Sequence, residues 1–351
     1  MFVAWRDLRF ARGRFALVAA VVALVTLLVG FLSGLSGGLA AQNVSAVLAL
    51  PADRVVLAPP TGGGAATFGE SVLTPAQTRV WRDAAGVTAL HPLGLTQGRA
   101  THGDVSSAVA VLATDPGVDP DGPARDGRVT LSEDAATALG ATAGATVRIA
   151  GRDLRVDAVT GPSWYSHTPV VRATLADWRA LAPTPDAVTG LLVRGDTAAD
   201  AADAAAGTAS ASPLGSLRFL PTFRSEIGSL ALIVALLFGV SALVVGAFFT
   251  VWTMQRRGDV AVLAALGASR RALVRDALGQ ACVVLLGGVG LGLLVVVAAG
   301  AAAGTALPFV LSPATTLLPG ALLVLLGLGG AAAAVRTVTT VDPLTALGSH
   351  R

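Results

Sequence analysis

The sequence contains no lysine; all 25 basic residues are arginine. That removes a Schiff-base lysine, a Ser-Lys dyad and the lysine of a phosphate-binding P-loop. A chain so composed does not bind ATP through a Walker-type loop of its own. Charge of either sign is also scarce, at 13% of residues against 53% hydrophobic. With a mean hydropathy of +0.69, the chain falls in the membrane class rather than among soluble domains. The single cysteine, Cys282, can form no internal disulfide and lies in an apolar run, where it reads as a small hydrophobe. The four histidines (His91, His102, His167, His350) show neither HxxxH nor HxH spacing, so no zinc site is expected.

What the chain does have is long apolar stretches separated by two kinds of polar sequence. Residues 1–14, MFVAWRDLRFARGR, interleave aromatics with arginines and read as an amphipathic helix at the cytoplasmic surface. The apolar run of 15–41 is longer than a signal-peptide core and is closed by no clean A-x-A site, so it reads as an uncleaved first span. Residues 42–225 are rich in Asp, Pro, Thr and Gly. Short alternating strands are expected at Arg54–Ala58, Ala108–Ala113, Thr146–Ala150, Leu154–Val159 and Gly190–Arg194, with helices at Pro75–Ala85, Ser132–Leu139 and Leu175–Leu181. Thr74 and Ser132 are the expected caps of the first two helices. The Ala-rich stretch Thr197–Pro213 reads as surface loop or loosely specified helix. Further spans follow at 226–253, 277–303 and 320–335, joined by an elbow at 254–276 and an external turn at 304–319. Pro308, Pro313 and Pro319 mark that turn. A tail of residues 336–351 ends the sequence. The expected fold is an α-helical membrane protein of four transmembrane helices, with one α+β extracytoplasmic domain inserted between helices 1 and 2.

Charge sets the expected orientation. Residues 1–14, 254–276 and 336–351 together hold 11 Arg against four Asp, net +7, whereas 42–226 holds 14 Arg against 18 acids, net −4. Short basic segments stay on the cytoplasmic side, so both termini and the elbow are expected inside and the large domain outside a plasma membrane. The basic pI therefore signals orientation and anionic lipid, not nucleic acid. No span carries an ionisable residue in its central portion, which disfavours a proton- or ion-coupled carrier. The elbow, Trp252–Ala281, begins with Arg256 and Arg257, carries an amphipathic piece through Leu263 and Leu266 to Gly267, and restarts at Ser269 with Arg270 and Arg271. With no energy-coupling group in the spans, a separate ATPase docking there is the simplest source of work.

The run Arg256-Arg257-Gly-Asp-Val-Ala-Val-Leu-Ala-Ala-Leu-Gly-Ala268-Ser-Arg270-Arg271 resembles the R-x-E-I-x-x-L-R-A-L-G-A-S signature of FtsX/MacB-type permeases, the type VII ABC exporters. Asp259 stands where Glu is usual and Ala264 where Arg is common. The tail Val341-Asp-Pro-Leu-Thr-Ala-Leu347 resembles the closing D-P-x-x-A-L of that family. Val129–Gly140, with the strands after it, resembles the core of its extracytoplasmic domain. The resemblance implies a permease that is not itself an enzyme. It would act as a homodimer beside two copies of an ATPase subunit that supplies ATP binding, and would relay motion across the membrane by mechanotransmission. Leu263, Leu266 and Ala268 would be docking knobs, with Arg256, Arg257, Arg270 and Arg271 at the charged margin.

The N-terminal region is most similar to haem-exporting HrtB-type permeases, which makes haem the candidate cargo; no intrinsic cofactor is implied. Iron ligands or propionate partners are then required near the outer leaflet: Glu226 at the mouth of the second span, Tyr165 and His167 in Trp164-Tyr-Ser-His-Thr-Pro, and Arg224 for a propionate. In a homodimer two Glu226 carboxylates would face one iron. The competing role for Glu226 is a charge capping the helix N-terminus. Two other functions compete with export: FtsX-like signal transmission to an extracytoplasmic enzyme or sensor, and lipoprotein or peptide release.

Overall fold

The computed structural model describes residues 12–180, 187–255, 269–303 and 307–339. Arg256, Arg257, Leu263, Leu266 and Ala268 of the elbow therefore lie outside the described residues, as do most of the N-terminal segment and the closing motif of the tail. The chain divides into two compact units, Leu39–Gly228 on the one hand and Met1–Gly38 with Ser229–Arg351 on the other.

The elements in order are helix α1 (Arg12–Leu48), β1 (Arg54–Leu57), α2 (Pro75–Arg82), β2 (Ala89–His102), β3 (Val105–Thr114), β4 (Arg128–Ser132), α3 (Glu133–Leu139), β5 (Thr146–Ile149), β6 (Arg152–Thr160), β7 (Trp164–Tyr165), β8 (Thr168–Thr174), α4 (Leu175–Arg179), β9 (Gly190–Arg194), α5 (Ala199–Ala206), β10 (Ala209–Ala211), α6 (Pro221–Gln255), α7 (Arg270–Ala303) and α8 (Pro313–Thr339).

Within Leu39–Gly228, β1–α2–β2 and β9–α5–β10 form two split units whose strands lie in the order β10-β1-β9-β2 with antiparallel neighbours. This is the ferredoxin-like arrangement. Between its second and third strands the chain builds something else. The far half of β2 pairs with β3, β3 with β8, β8 with β4, β4 with β6, β6 with β5, and β5 returns to β2. The pairing closes a six-stranded ring, which leaves it no open edge. β2 belongs to both parts: Ala89–Leu93 pair with β9 and Gly94–His102 with β3. At Gly94 the indole of Trp178 fills the space a Cβ would occupy, and its Nε1 donates to Thr96 Oγ1 at 2.8 Å.

Strand alternation divides the core in two. Val56, Leu191 and Val193 turn toward α2, α5 and the ring interior with Trp81, Val129 and Leu154. Val55, Leu57, Leu93 and Leu192 turn the other way, onto Val44, Ala46 and Val47 of α1, with Phe68, Tyr165 and Phe219. This second cluster explains why α1 continues to Leu48 rather than ending at Ala41: its last turns are amphipathic and bury Ala46 and Val47 against the sheet. Thr74 caps α2 in a full capping box with Gln77, and Ser132 caps α3. The stretch read as loop or loose helix, Thr197–Pro213, contains α5 and β10. The Asp203 carboxylate fixes the return by accepting from Thr208 Oγ1 and from Ser210 N and Oγ.

The other unit contains the apolar helices. Four stretches are long and apolar enough to cross a membrane, by length and composition: Phe15–Leu48, Gly228–Phe248, Val274–Ala303 and Pro313–Ala333. The turn before α8, expected over 304–319, ends earlier, at Pro313. Pro313 is the first residue of α8, a position that tolerates a missing N–H, and Ser312 accepts from Thr315 N at 3.2 Å. Pro319 lies inside the helix, so the prolines mark a helix start as well as a turn. Close approach of α1 and α7 rests on glycine: a Cβ at Gly292 would lie 2.7 Å from Ala23 O. The segment before α8 reaches back to α1, with Val310 N donating to Gly34 O at 3.1 Å and the Phe309 ring 5.1 Å from that of Phe31.

Candidate functional site

Of the four candidate residues near the second span, His167 and Glu226 come together. Pro221 opens α6, and Glu226 stands in its second turn. The first turn carries no acidic residue, so Glu226 is not the helix cap. β7 and β8 form a hairpin, Trp164 opposite Pro169 and Tyr165 opposite Thr168, with Ser166 and His167 as its two-residue loop. Both loop residues have positive φ, 47° and 62°, as a type I′ turn requires. Glycine or asparagine usually occupies such positions, because a left-handed conformation costs other residues about 1–2 kcal/mol each.

The turn is held by α1. Ser166 N donates to Asn43 O at 2.9 Å and His167 N to Gln42 O at 3.0 Å, while Ser45 Oγ accepts from Trp164 N at 2.9 Å. Pinned in this way, the His167 ring points at Glu226, with Nε2 3.1 Å from Oε2 and 3.2 Å from Oε1. Asn43 completes the group, its Nδ2 donating to Glu226 Oε2 at 2.9 Å. The His167 and Glu226 side chains are 32% and 36% exposed, whereas Asn43 is fully buried. A half-exposed carboxylate beside an imidazole can bind a cation, a metal centre or a hydrogen-bond donor.

Tyr165 is not brought to this group. On the alternate face of β7 it is buried against Phe68, ring centroids 6.2 Å apart and edge to face. Burial pushes its phenol up to about 12, the behaviour of a core residue and not of an available ligand. Arg224 lies in the first turn of α6, and its side chain is outside the described residues. Arg270 and Arg271 open α7, their side chains likewise outside. Among the described residues, no cluster of three or more His, Cys, Asp or Glu could hold a metal ion.

Sequence reasoning missed Asn43. The signal was present: Gln42-Asn43 is the first polar pair after a long apolar run, and it reads as the end of a span. In a helix that continues, the same pair places a fully buried amide beside Glu226. Nearby, burial holds the Asp134 carboxyl above its ordinary range, with the Trp164 indole acting in the opposite direction.

Residues 231–343 match the family model of the FtsX-like permease C-terminal region. A putative hemin transport system permease protein HrtB from Staphylococcus haemolyticus is 31% identical over 129 residues, a stretch that covers 37% of this chain and 37% of that relative. Among solved structures, the periplasmic region of MacB from Actinobacillus actinomycetemcomitans aligns over 47% of this chain and 91% of its own at 12% identity, TM-score 0.37. The extracellular domain of the ABC-type transporter YknZ from Gram-positive bacteria aligns over 44% and 87% at 12% identity, TM-score 0.32. The chain is similar to FtsX/MacB-type permeases and carries an FtsX-like C-terminal region.

Proposed function

We propose that the protein is the permease subunit of an ATP-driven exporter that expels a hydrophobic or amphiphilic cargo, haem in the leading case, from the membrane. The observation that carries the permease reading is the FtsX-like match over residues 231–343. It falls on apolar helices without ionisable residues in their central portions and in a chain without lysine. Such a chain needs its energy from outside, and two copies of a separate ATPase subunit, docked on the elbow of a homodimer, would supply it. Closure of the ATPase pair would push the elbow, and α1 and α6 would transmit that motion. The haem reading is supported by similarity over part of the chain to a putative hemin permease and by the half-exposed Glu226 and His167 pair, with Arg224 as partner for a propionate.

Titrating haemin into the purified permease and ATPase tests this. A shifted Soret band and a raised ATPase rate at micromolar haemin are expected. An unchanged spectrum and rate would remove haem as cargo and favour an FtsX-like transmitter or a lipoprotein-releasing role. Replacing Leu263 and Leu266 by Asp should abolish association with the ATPase, because each replaces an expected apolar docking contact by a charge. Recovery of an intact complex by co-purification would rule out the elbow as the docking site.

A further inference from the structure

Asn43 presents an energetic puzzle. It is fully buried, its Nδ2 is used by Glu226, and its Oδ1 has no hydrogen-bond partner. A buried, unsatisfied amide oxygen costs about 1–3 kcal/mol. A leucine, with a similar branched shape, would avoid that cost. Rotating the amide gives no relief, since it would set Oδ1 against a carboxylate oxygen. The orientation is therefore dictated by Glu226, at the expense of local stability.

We infer that Asn43 is a positioning residue for the Glu226 site, holding that carboxylate in the orientation in which it meets the cargo. The geometry supports a hold from two segments, α1 and the β7–β8 hairpin. α1 supplies the Asn43 amide, and the same turn of α1 accepts the backbone N–H groups of Ser166 and His167. The hairpin thus set supplies the imidazole at 3.1 Å. Groups that orient a ligating carboxylate typically matter 10- to 100-fold for affinity. The inference rests on the cargo reading for its binding arm and on side-chain chemistry alone for its second arm.

The test uses the full-length permease with its ATPase, in wild-type form and as Asn43→Leu and the isosteric Asn43→Asp. Three quantities are read: the thermal midpoint, the haemin dissociation constant from the Soret band, and the rate at which a carbodiimide labels Glu226, followed by mass spectrometry. A positioning role predicts that Asn43→Leu keeps or raises the thermal midpoint, weakens haemin binding at least about tenfold, and labels Glu226 several-fold faster, because the amide no longer holds the carboxylate in place. Asn43→Asp sets a second carboxylate beside the first and should weaken binding and speed labelling further; it decides the matter if the leucine variant does not fold. Unchanged affinity and labelling in a folded variant would overturn the inference and leave Asn43 as a core residue. If the wild type itself does not bind haemin, the cargo reading fails, and the labelling rate alone decides the role of Asn43.

Discussion

Tyr165 is the single tyrosine of a chain without lysine, so its ionisation can be followed by phenolate absorbance with no other tyrosine contributing. Its phenol titrates near 12 when folded, against about 10 in an unfolded chain. Below pH 10 both states are protonated and the contribution to stability is whole. Between 10 and 12 only the unfolded chain loses its proton, so stability falls as pH rises, by about 2–3 kcal/mol over the window. Tyr165→Phe should abolish that slope, as measured by thermal unfolding at a series of pH values. Arg172 offers a second test. It is 5% exposed and lies 2.9 Å from Asp119 and 3.6 Å from Asp121. Arg172→Met strips the partner from a nearly buried Asp119 and should cost about 3–5 kcal/mol, read as a lowered thermal midpoint. At this scale Glu226 and His167 could be singled out in the sequence as types of chemistry. Their meeting could not, because it depends on a two-residue turn of Ser and His in a backbone conformation that neither residue favours.

At the scale of elements, period and punctuation revealed most of the strong segments. Val55 to Leu57, the Thr74 and Ser132 caps and the apolar helices follow directly from local sequence. The differences share one cause: a polar or proline residue reads as a boundary where tertiary burial overrides it. α1 runs through Gln42-Asn43 because Val44, Ala46 and Val47 have a sheet to bury against. α8 begins at Pro313 because Ser312 caps it. The short β10 was invisible because three residues of Ala-Ser-Ala carry no pattern. Glycine on α7 gives an element-scale prediction. At Gly292 a Cβ would lie 2.7 Å from Ala23 O and 2.6 Å from the Thr26 Cβ, whereas at Gly290 nothing lies within 4 Å. Gly292→Ala should therefore lower the thermal midpoint in detergent, a cost of about 1–3 kcal/mol. Gly290→Ala, on the same helix, should not.

For the whole molecule, the charge asymmetry between the short basic segments and the inserted domain is the basis for expecting the former inside and the latter outside. In a Cys282→Ala background, a cysteine at Asp104 in the β2–β3 turn should react with an impermeant maleimide on intact cells, and one at Ser349 only after lysis. The reverse pattern would invert the assigned topology. The ferredoxin-like plan was not legible, because its two halves are separated in sequence by the whole six-stranded ring. That plan has a mechanical consequence. The chain enters the domain from α1 into β1 and leaves it from β10 toward α6, and these are neighbouring antiparallel strands, with Val55 opposite Ala211, Val56 opposite Ser210 and Leu57 opposite Ala209. The arrangement is a fork whose crotch is a ladder of three rungs. A pull that spreads the tines loads the Asn43–Glu226 bond between them and then the rungs one after another from Val55, which is the unzipping direction for a sheet.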